Sequence, residues 1–547
     1  MTTWDPDLPV LMSGGRVFTA AGTAPWTEAV VIRGRRILAV GRASDLSRRY
    51  PDALGIDVGG RTVAPGFIDA HNHFLATGES LASVELRFAT APTTIEVIRV
   101  LTEAARTTSA GEWVVAFGYD DAKYDQQLDR DLLDTVSVSH PIRVHHVSGH
   151  HVCVNSRALQ LRGVTESALD PQGGRLVRDA AGRLTGQCLD AAMNLILPVS
   201  VDIGAHGPNF HTSITGEESV AAVERAGRAF VAAGLTTVCD AQVTQRELLA
   251  YREARQLGRL PLRTVCMPLS HQLDELVALG LAGPFGDDHL SIGAMKVYAD
   301  GSLIGGTAWF TDPYGADGQF TGSMYWSSAE LTDMIVRAHV AGWQVGVHVQ
   351  GDQAIGTVLD AIETAVAAAP RDHRHRLEHA GYPTPAQIER IARLGLITIN
   401  QPSYLHDSGD EFLDRLGDRA HRLQPLRDEL DAGISVVLSS DSDVASYRPL
   451  ETVRHAIARR TSSGASIGAD QALTLDEALR AHTLSAARAL RMEDRIGSLE
   501  PGKLADLVVI DGDLTTTDPA DLSSTEMWAT VLDGRVRHAR DAAALGL

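Results

Sequence analysis

The feature that most constrains the fold of this 547-residue chain is a repeated alternation between apolar runs and helical stretches in its middle part. The apolar runs are typical of buried strands, and the segments after them are rich in Ala, Leu, Glu and Arg, as helices are. Eight runs are strand candidates: residues 62–71, 235–240, 262–267, 292–299, 344–349, 374–379, 397–400 and 434–439. Repeated strand-helix units predict a parallel α/β architecture. Eight of them fit a (β/α)8 TIM barrel, with a doubly wound open sheet as the alternative.

The two chain ends have a different character. Residues 1–64 and 495–547 contain short apolar, β-branched runs separated by glycine-containing turns, which predicts antiparallel strands. We expect these ends to pair into one β-sandwich and residues 65–494 to form the barrel. The interval between the first two strand candidates is too long for one crossover, so we predict a large insertion at about residues 76–230 near the barrel mouth. It has strand-like runs of its own at 113–118 and 142–147.

Composition excludes several classes of protein. Lys and Arg number 49 against 69 Asp and Glu, a formal charge of −20, which disfavours nucleic acid and anionic membranes as partners. The four cysteines are far apart and form no C-x-x-C pair, so we predict buried free thiols rather than disulfides or a thiolate zinc site. We see no signal peptide at the start and no run of the ~18 apolar residues that a spanning helix needs. These features predict a cytoplasmic protein.

The strongest local motif places two histidines at the end of the first strand candidate, in the run Pro65-Gly66-Phe67-Ile68-Asp69-Ala70-His71-Asn72-His73. Side chains alternate along a strand, so His71 and His73 share a face. In a barrel, the carboxyl end of a strand lies on the catalytic face. Two imidazoles there can chelate one divalent metal. The alternative is a pair of surface histidines in a loop, but the position after an apolar strand favours the metal.

Lys296, His348, His379 and Asp441 also lie at or near strand ends. A lysine within an apolar strand is costly to bury in its charged form. It could form an ion pair with Asp300. Alternatively, burial could lower its pKa, and the neutral amine could take up CO2 to form an anionic carbamate bridging two metals. Each residue alone is more often structural, but their shared placement indicates one site.

Together these motifs resemble the amidohydrolase superfamily of metal-dependent hydrolases. The flanking sequence resembles its YtcJ-like branch, which includes the N-substituted formamide deformylases. The similarity covers nearly the whole chain and includes a lysine segment, a His-x-x-Gly-Asp segment, the last two barrel motifs and the return into the β-sandwich. These segments are residues 296–303, 348–355, 376–380, 440–443 and 500–509.

The resemblance implies a role for each motif residue. His71, His73 and Asp441 would hold the more buried of two divalent metal ions, and His348 and His379 the other. Carbamylated Lys296 would bridge them. Nitrogen-rich ligation suits zinc, with manganese or iron as alternatives. A single metal would leave Lys296 an ordinary amine.

The same resemblance implies a mechanism. Asp441 would act as general base for a metal-bound hydroxide and then pass the proton to the leaving nitrogen. His150 lies in the insertion, in a segment similar to one near the pocket of the YtcJ-like branch. It could hydrogen-bond the substrate carbonyl or merely cap a turn.

Four further residues are weaker candidates. Asp300 and Asp352 closely follow predicted ligands and could orient them, or could simply form turns beside glycines. Trp309 and Tyr314 could wall an apolar pocket, although aromatic residues more often belong to the core.

The sequence therefore predicts a metal-dependent hydrolase of a carbon–nitrogen bond other than a peptide bond. The expected substrate is a small linear amide, an N-substituted formamide or an N-acyl amine. The alternatives are a cyclic amide hydrolase or deaminase on the same site, an esterase, or a non-catalytic metal-binding sensor or scaffold. The last is disfavoured because all six candidate ligands are present. The resemblance also implies a homodimer.

Overall fold

The N-terminal segment consists of short strands and one helix. The structure, a computed structural model, describes residues 4–88, 90–124, 126–171, 173–314 and 319–547. Gly34, with a φ of 51°, lies in the turn between the fourth and fifth strands. The elements are β1 (Val10–Ser13), β2 (Arg16–Phe18), β3 (Trp26–Thr27), β4 (Ala29–Arg33), β5 (Arg36–Gly41), α1 (Ala43–Arg49), β6 (Leu54–Asp57) and β7 (Thr62–Pro65).

The predicted insertion contains a sheet of its own. Its six strands run in the order β13-β14-β12-β11-β10-β9, and the strand-like runs predicted at 113–118 and 142–147 correspond to β10 and β11. The elements from the first barrel strand onward are β8 (Phe67–Asn72), α2 (Phe74–Ser80), β9 (Val84–Glu85), α3 (Thr94–Thr107), β10 (Val114–Tyr119), α4 (Arg130–Val136), β11 (Ile142–His146), β12 (His151–Val154), α5 (Ser156–Leu161), β13 (Gly174–Arg178), β14 (Leu184–Asp190), α6 (Met193–Ile196) and α7 (Gly216–Ala232).

The remaining central part alternates strands with helices, as the apolar pattern predicts. Its elements are β15 (Leu235–Val243), α8 (Gln245–Gln256), β16 (Arg263–Pro268), α9 (Leu273–Ala278), β17 (Phe285–Gly286), β18 (Leu290–Ile292), β19 (Met295–Tyr298), α10 (Ser328–Val340), β20 (Val345–Val349), α11 (Asp352–Ala368), β21 (Arg376–His379), α12 (Pro385–Leu394), β22 (Ile397–Asn400), α13 (Ser403–Asp407), α14 (Gly409–Leu416), α15 (Leu426–Asp431), β23 (Ser435–Leu438), α16 (Pro449–Ala458), α17 (Leu475–Ala481) and α18 (Leu484–Ala489).

The central strands form two largely parallel sheets, ordered β17-β18-β16-β15-β8 and β19-β20-β21-β22-β23. Contacts join the sheets at both seams. Leu269 and Lys296 form a parallel bridge after β16, and the backbone N–H of Asp441 donates to the His71 carbonyl, 2.9 Å away. The carboxyl ends of β8 and β23 therefore meet, and parallel strands deliver their following residues to one common face.

Two strand candidates differ from the prediction. The run 62–71 is two strands, β7 and β8, which belong to different sheets. They separate at Gly66, where a Cβ atom would lie 2.3 Å from the Thr236 side chain, so only glycine fits this close approach. The run 292–299 is likewise divided, because Ile292 ends β18 and Met295 begins β19.

The two chain ends share one sheet. Strands β24 (Leu507–Ile510), β25 (Met527–Leu532) and β26 (Arg535–Ala539) extend it in the order β26-β25-β24-β7-β2-β3. Its inner face packs against the sheet β5-β4-β1-β6 in a common core that includes Met12, Val30, Val63, Val509 and Trp528. The expected pairing of the N- and C-terminal segments is present.

The four cysteines are free and buried, as predicted. Within the described part of the chain, the helices fall short of the combined length and apolar character needed to cross a bilayer.

Candidate active site

Two histidines and an aspartate meet where β8 and β23 end. His71 and His73 are buried, and their Nε2 atoms lie 3.3 and 3.1 Å from Asp441 Oδ1. Their potential ligand atoms all lie within 4.8 Å of one another. The strand alternation that predicted a shared face for the two histidines thus corresponds to convergent side chains.

Several atoms of this cluster lack hydrogen-bond partners. Among the described residues, His71 Nε2, Asp441 Oδ1 and Lys296 Nζ are buried from solvent and make no hydrogen bond. Buried polar atoms are nearly always paired, so an unpaired group of imidazole, carboxylate and amine atoms calls for an additional binding partner. Nitrogen and oxygen donors at this spacing are the ligands of divalent transition metals, so the residues fit a metal site.

Lys296 lies on β19 and is fully buried. Its Nζ sits 4.6 Å from the ring centroid of Tyr298, and burial lowers its pKa to about 8. The alternative ion pair with Asp300 is absent from the described residues. The Asp300 carboxylate instead accepts backbone N–H bonds from Trp309, Gln350 and Gly351. Asp300 therefore fixes the loop after β20 rather than neutralising the lysine.

His348 and His379 complete the set of predicted ligands. The rings of His379 and His71 are 4.8 Å apart between centroids, and those of His348 and His379 are 4.6 Å apart. His348 Nε2 lies 3.2 Å from the Gly301 carbonyl oxygen, and His379 Nδ1 lies 2.9 Å from Gln401 Oε1. The structure thus brings all six predicted ligands into one cluster.

Electrostatics keep His348, His379 and Asp441 in forms that can bind metal. Burial lowers the pKa of His379 to about 3 and that of His348 well below its ordinary value, so both imidazoles are neutral. Burial alone would raise the pKa of Asp441, but His71 and His73 outweigh it and hold that pKa well below the usual range. Neutral imidazoles and an ionised carboxylate are the states that metal coordination requires.

Sequence reasoning missed the residues that hold the ligands in place. Glu378 Oε2 lies 2.6 Å from His71 Nδ1, and the Glu378 carboxylate accepts hydrogen bonds from Arg376 at 2.7 and 2.9 Å. The Tyr404 hydroxyl on α13 donates to Asp441 Oδ2. Glu378 could have been found from the sequence, because it is a carboxylate directly before His379 on an apolar strand. No sequence pattern around Tyr404 indicates its contact with Asp441.

His150 lies in the loop between β11 and β12, beside the cluster. Its ring centroid is 5.6 Å from that of His348. Its Nδ1 lies 2.8 Å from Asp190 Oδ1, which also accepts the Tyr325 hydroxyl at 2.9 Å. The Asp190 contact fixes the ring orientation, and His150 faces the cavity at the cluster.

A cavity of about 100 Å³ is lined by four of the cluster residues, His73, His348, His379 and Asp441. Barrel residues, including His73, His379 and Asp441, line one side, and the insertion lines another. A larger cavity of about 890 Å³ adjoins it and shares Phe117 and Tyr404 in its lining. The shared walls make the larger cavity the approach to the smaller one.

The weaker candidates lie elsewhere. Neither Trp309 nor Tyr314 lines the cavity at the cluster, within the described residues. The Tyr314 ring packs against Phe310, and its hydroxyl donates to the Ala308 carbonyl at 2.5 Å, so Tyr314 belongs to the core. Asp352 is the first residue of α11 rather than a turn residue, and its carboxylate accepts the backbone N–H of Thr311 at 2.9 Å.

A second group of polar residues braces the insertion. His146 Nε2 lies 2.9 Å from Asp121 Oδ1 and 3.7 Å from Asp120 Oδ1. Its Nδ1 lies 2.8 Å from Ser148 Oγ, which accepts the backbone N–H of His150 at 3.2 Å. An ion pair thus supports the loop that carries His150.

Comparison with known proteins agrees with the motifs and geometry. The amidohydrolase family model matches residues 55–538. The chain is 31% identical over 98% of its length to an N-substituted formamide deformylase from Arthrobacter pascens, of which it covers 98%. It is 29% identical over 97% of its length to YtcJ of Bacillus subtilis (strain 168), of which it covers 99%.

Solved structures share the fold. An uncharacterised metal-dependent hydrolase from Pyrococcus horikoshii OT3 aligns with a TM-score of 0.74 at 24% identity, over 94% of this chain and 99% of that one. A triazine hydrolase variant aligns with a TM-score of 0.51 at 18% identity, over 99% and 98%. The architecture is thus of the TIM-barrel type found in these hydrolases. The family match and the full-length relatives show that this chain belongs to the amidohydrolase family and is an enzyme acting on carbon–nitrogen bonds.

Proposed function

We propose that the enzyme is a metal-dependent hydrolase of a small linear amide, an N-substituted formamide or an N-acyl amine. The observation that carries this proposal is the cluster of unpaired, buried donor atoms on His71, Lys296 and Asp441. The name of the Arthrobacter pascens relative supports the choice of amide. We further propose that the eight parallel strands close into a (β/α)8 barrel, with the site at their carboxyl ends.

Two divalent ions, zinc by preference, would supply Lewis acidity that makes water nucleophilic near neutral pH and polarises a carbonyl oxygen. His71, His73 and Asp441 would hold one ion, and His348 and His379 the other. Lys296, as a carbamate, would bridge them. The lowered pKa of Lys296, about 8, supports this role because only the neutral amine reacts with CO2.

Asp441 would move the proton. Its carboxylate is ionised, buried and hydrogen-bonded by Tyr404, so one oxygen is fixed while the other faces the histidines. In this position it can accept a proton from the attacking water and return it to the leaving nitrogen. His150, oriented by Asp190, would donate a hydrogen bond to the substrate carbonyl oxygen.

Two measurements test this proposal. Elemental mass spectrometry and native intact mass, after treatment with zinc and bicarbonate, should give about two metals per chain and a CO2 adduct. The adduct should be absent from Lys296→Met. A substrate panel should then show hydrolysis of linear amides in preference to lactams, hydantoins, amino-heterocycles and esters. One metal without an adduct would refute the bridged pair, and preferential turnover of another substrate class would refute the linear amide.

A further inference from the structure

The insertion sheet presents one face to the active-site cavity. Strands β10 and β11 are paired in parallel, with Val115 opposite Arg143 and Phe117 opposite His145. All four of these side chains line the cavity that His73, His348, His379 and Asp441 line from the barrel. Their neighbours along the two strands point the other way, into the core of the insertion: Val114, Ala116, Ile142 and Val144. The alternation makes the insertion a wall of the active site, and Arg143 is the cation of that wall.

The Arg143 guanidinium has two N–H groups without a hydrogen-bond partner among the described residues. Its Nε and Nη1 are buried from solvent and make no hydrogen bond, and the described residues offer it no carboxylate within ion-pair distance. Its Cζ lies 5.7 Å from the ring centroid of Trp113, an aromatic contact that does not neutralise charge. Unsatisfied guanidinium N–H groups at the wall of a cavity can be completed by an acceptor that enters the cavity, and an anion is the acceptor that suits their charge best.

Glu79, on the same cavity wall, attracts Arg143 electrostatically and raises its pKa, but its ion pair, at 2.5 Å, is with Arg246, which also pairs with Glu247 at 2.6 Å. Burial lowers the pKa of Arg143 to about 10, so the guanidinium remains charged at neutral pH. Burial also lowers the pKa of His145 to about 3, so this neighbour is a neutral imidazole and competes with no anion for Arg143.

We propose that Arg143 binds a carboxylate carried by the amide substrate. The proposal rests on the amide hydrolase function proposed above, because it concerns the occupant of the same cavity. A guanidinium presents paired N–H donors in a planar fork that matches a carboxylate, and such a bidentate pair selects for charge and orientation together. The metal cluster would act on the amide, and Arg143 would distinguish amides with a carboxylate from neutral ones.

Two formamides that differ only in the carboxylate provide the test: N-formylphenylalanine, as each enantiomer, and N-formylphenethylamine. For the zinc-loaded enzyme we expect kcat/KM to favour one carboxylated enantiomer by at least about 100-fold. Arg143→Met should lower kcat/KM for that substrate by about 100-fold or more and change the neutral one by less than about threefold. For the carboxylated substrate, Arg143→Lys should have a kcat/KM between those of the wild type and Arg143→Met. Arg175→Met, on an exposed residue of the same sheet, should behave as wild type.

The outcomes separate this inference from the proposed function. Turnover of both formamides without a carboxylate preference, or an equal loss on both in Arg143→Met and Arg143→Lys, overturns the role of Arg143 and leaves the amidase standing. If neither formamide is hydrolysed, the affinity for a carboxylate ligand tests the role of Arg143 instead. Calorimetry of 3-phenylpropionate on wild type and Arg143→Met, loaded with equal zinc, should show at least tenfold weaker binding in the variant. Equal affinity would overturn the inference.

Discussion

The barrel strand ends and the insertion sheet both direct polar side chains into one cavity, but these side chains differ in how far other protein groups support them. At the strand ends several ligand candidates have a protein partner behind them, as Glu378 contacts His71 and Gln401 contacts His379. On the insertion wall Arg143 has none among the described residues. Rigid support suits groups that must keep one geometry for chemistry. A free charge suits recognition of a substrate group. We therefore expect the barrel to supply most of the reaction chemistry and Arg143 of the insertion to discriminate between substrates.

The largest expected effect follows removal of the proposed base. Asp441→Asn should lower kcat by on the order of 10³ for every amide, charged or neutral, because it removes the proton acceptor and weakens one ligand position. Steady-state kinetics at matched metal content measure this loss. Asp352→Asn is the control, since that carboxylate only binds the Thr311 backbone, and it should retain wild-type kinetics. Near-normal turnover by Asp441→Asn with metal retained would refute the assignment and with it the division between barrel and insertion.

A smaller effect is expected from the support behind a ligand. Glu378→Gln should weaken metal binding by about 10- to 100-fold, because His71 loses the carboxylate that orients its ring. Competition with a chelator at fixed pH measures the affinity. Arg376 loses its buried counter-charge as well, so thermal unfolding of the metal-free protein must be measured in parallel.

Glu429→Gln is the matched control for Glu378→Gln. Glu429 is also a buried glutamate, but its carboxylate binds Thr398 and Asn400 rather than a histidine of the cluster. It should leave metal affinity within about threefold of wild type, since no predicted ligand depends on it. If both variants lose metal equally, the effect of Glu378 is general destabilisation rather than support of His71.

The positions of the metal-ligand candidates could be predicted where they follow from the alternation of side chains along strands and from the ends of strands. His71 and His73 lie at the end of one apolar strand at a spacing of two, and His348, His379 and Asp441 lie at or just after the ends of others, whereas Lys296 is the second residue of β19. A parallel sheet brings such ends together whatever the intervening loops do. For this reason the fold type and the convergence of the cluster could be predicted from local patterns alone.

The remaining contacts depend on how distant segments pack. His150 meets Asp190 across 40 residues, and Tyr404 reaches Asp441 from a short helix whose position the sequence does not encode locally. The insertion sheet pairs β9 to β12 in chain order, but which face of β11 lies toward the barrel depends on how the sheet packs, so Arg143 could not be assigned to the cavity beforehand. The strand candidate 62–71 was divided because Gly66 closely approaches Thr236, a contact invisible in hydrophobic patterning.

The smallest effect concerns stability of the insertion rather than catalysis. Burial alone would lower the pKa of His146, but the carboxylates of Asp120 and Asp121 outweigh it and raise that pKa to about 9. A folded-state pKa above the ordinary 6.5 means that protonation stabilises the fold. The contribution is complete below about pH 6.5 and is lost as the pH rises through about 9. His146→Gln should therefore lower the free energy of unfolding by about 2 kcal/mol at pH 6 and by progressively less toward pH 9.

Urea unfolding of wild type and His146→Gln across this pH range measures the difference. His140→Gln provides the control, because His140 lies in the same insertion and contacts Ser137 rather than a carboxylate. The change in the free energy of unfolding caused by His140→Gln should not decrease between pH 6 and pH 9 as that of His146→Gln does. The His146 ion pair supports the His150 loop through Ser148, and His150 is proposed to bind the carbonyl oxygen of every amide, so turnover of charged and neutral amides alike should fall above about pH 9. A stability difference that is constant with pH would show that His146 acts by packing alone rather than as a charged support of the insertion.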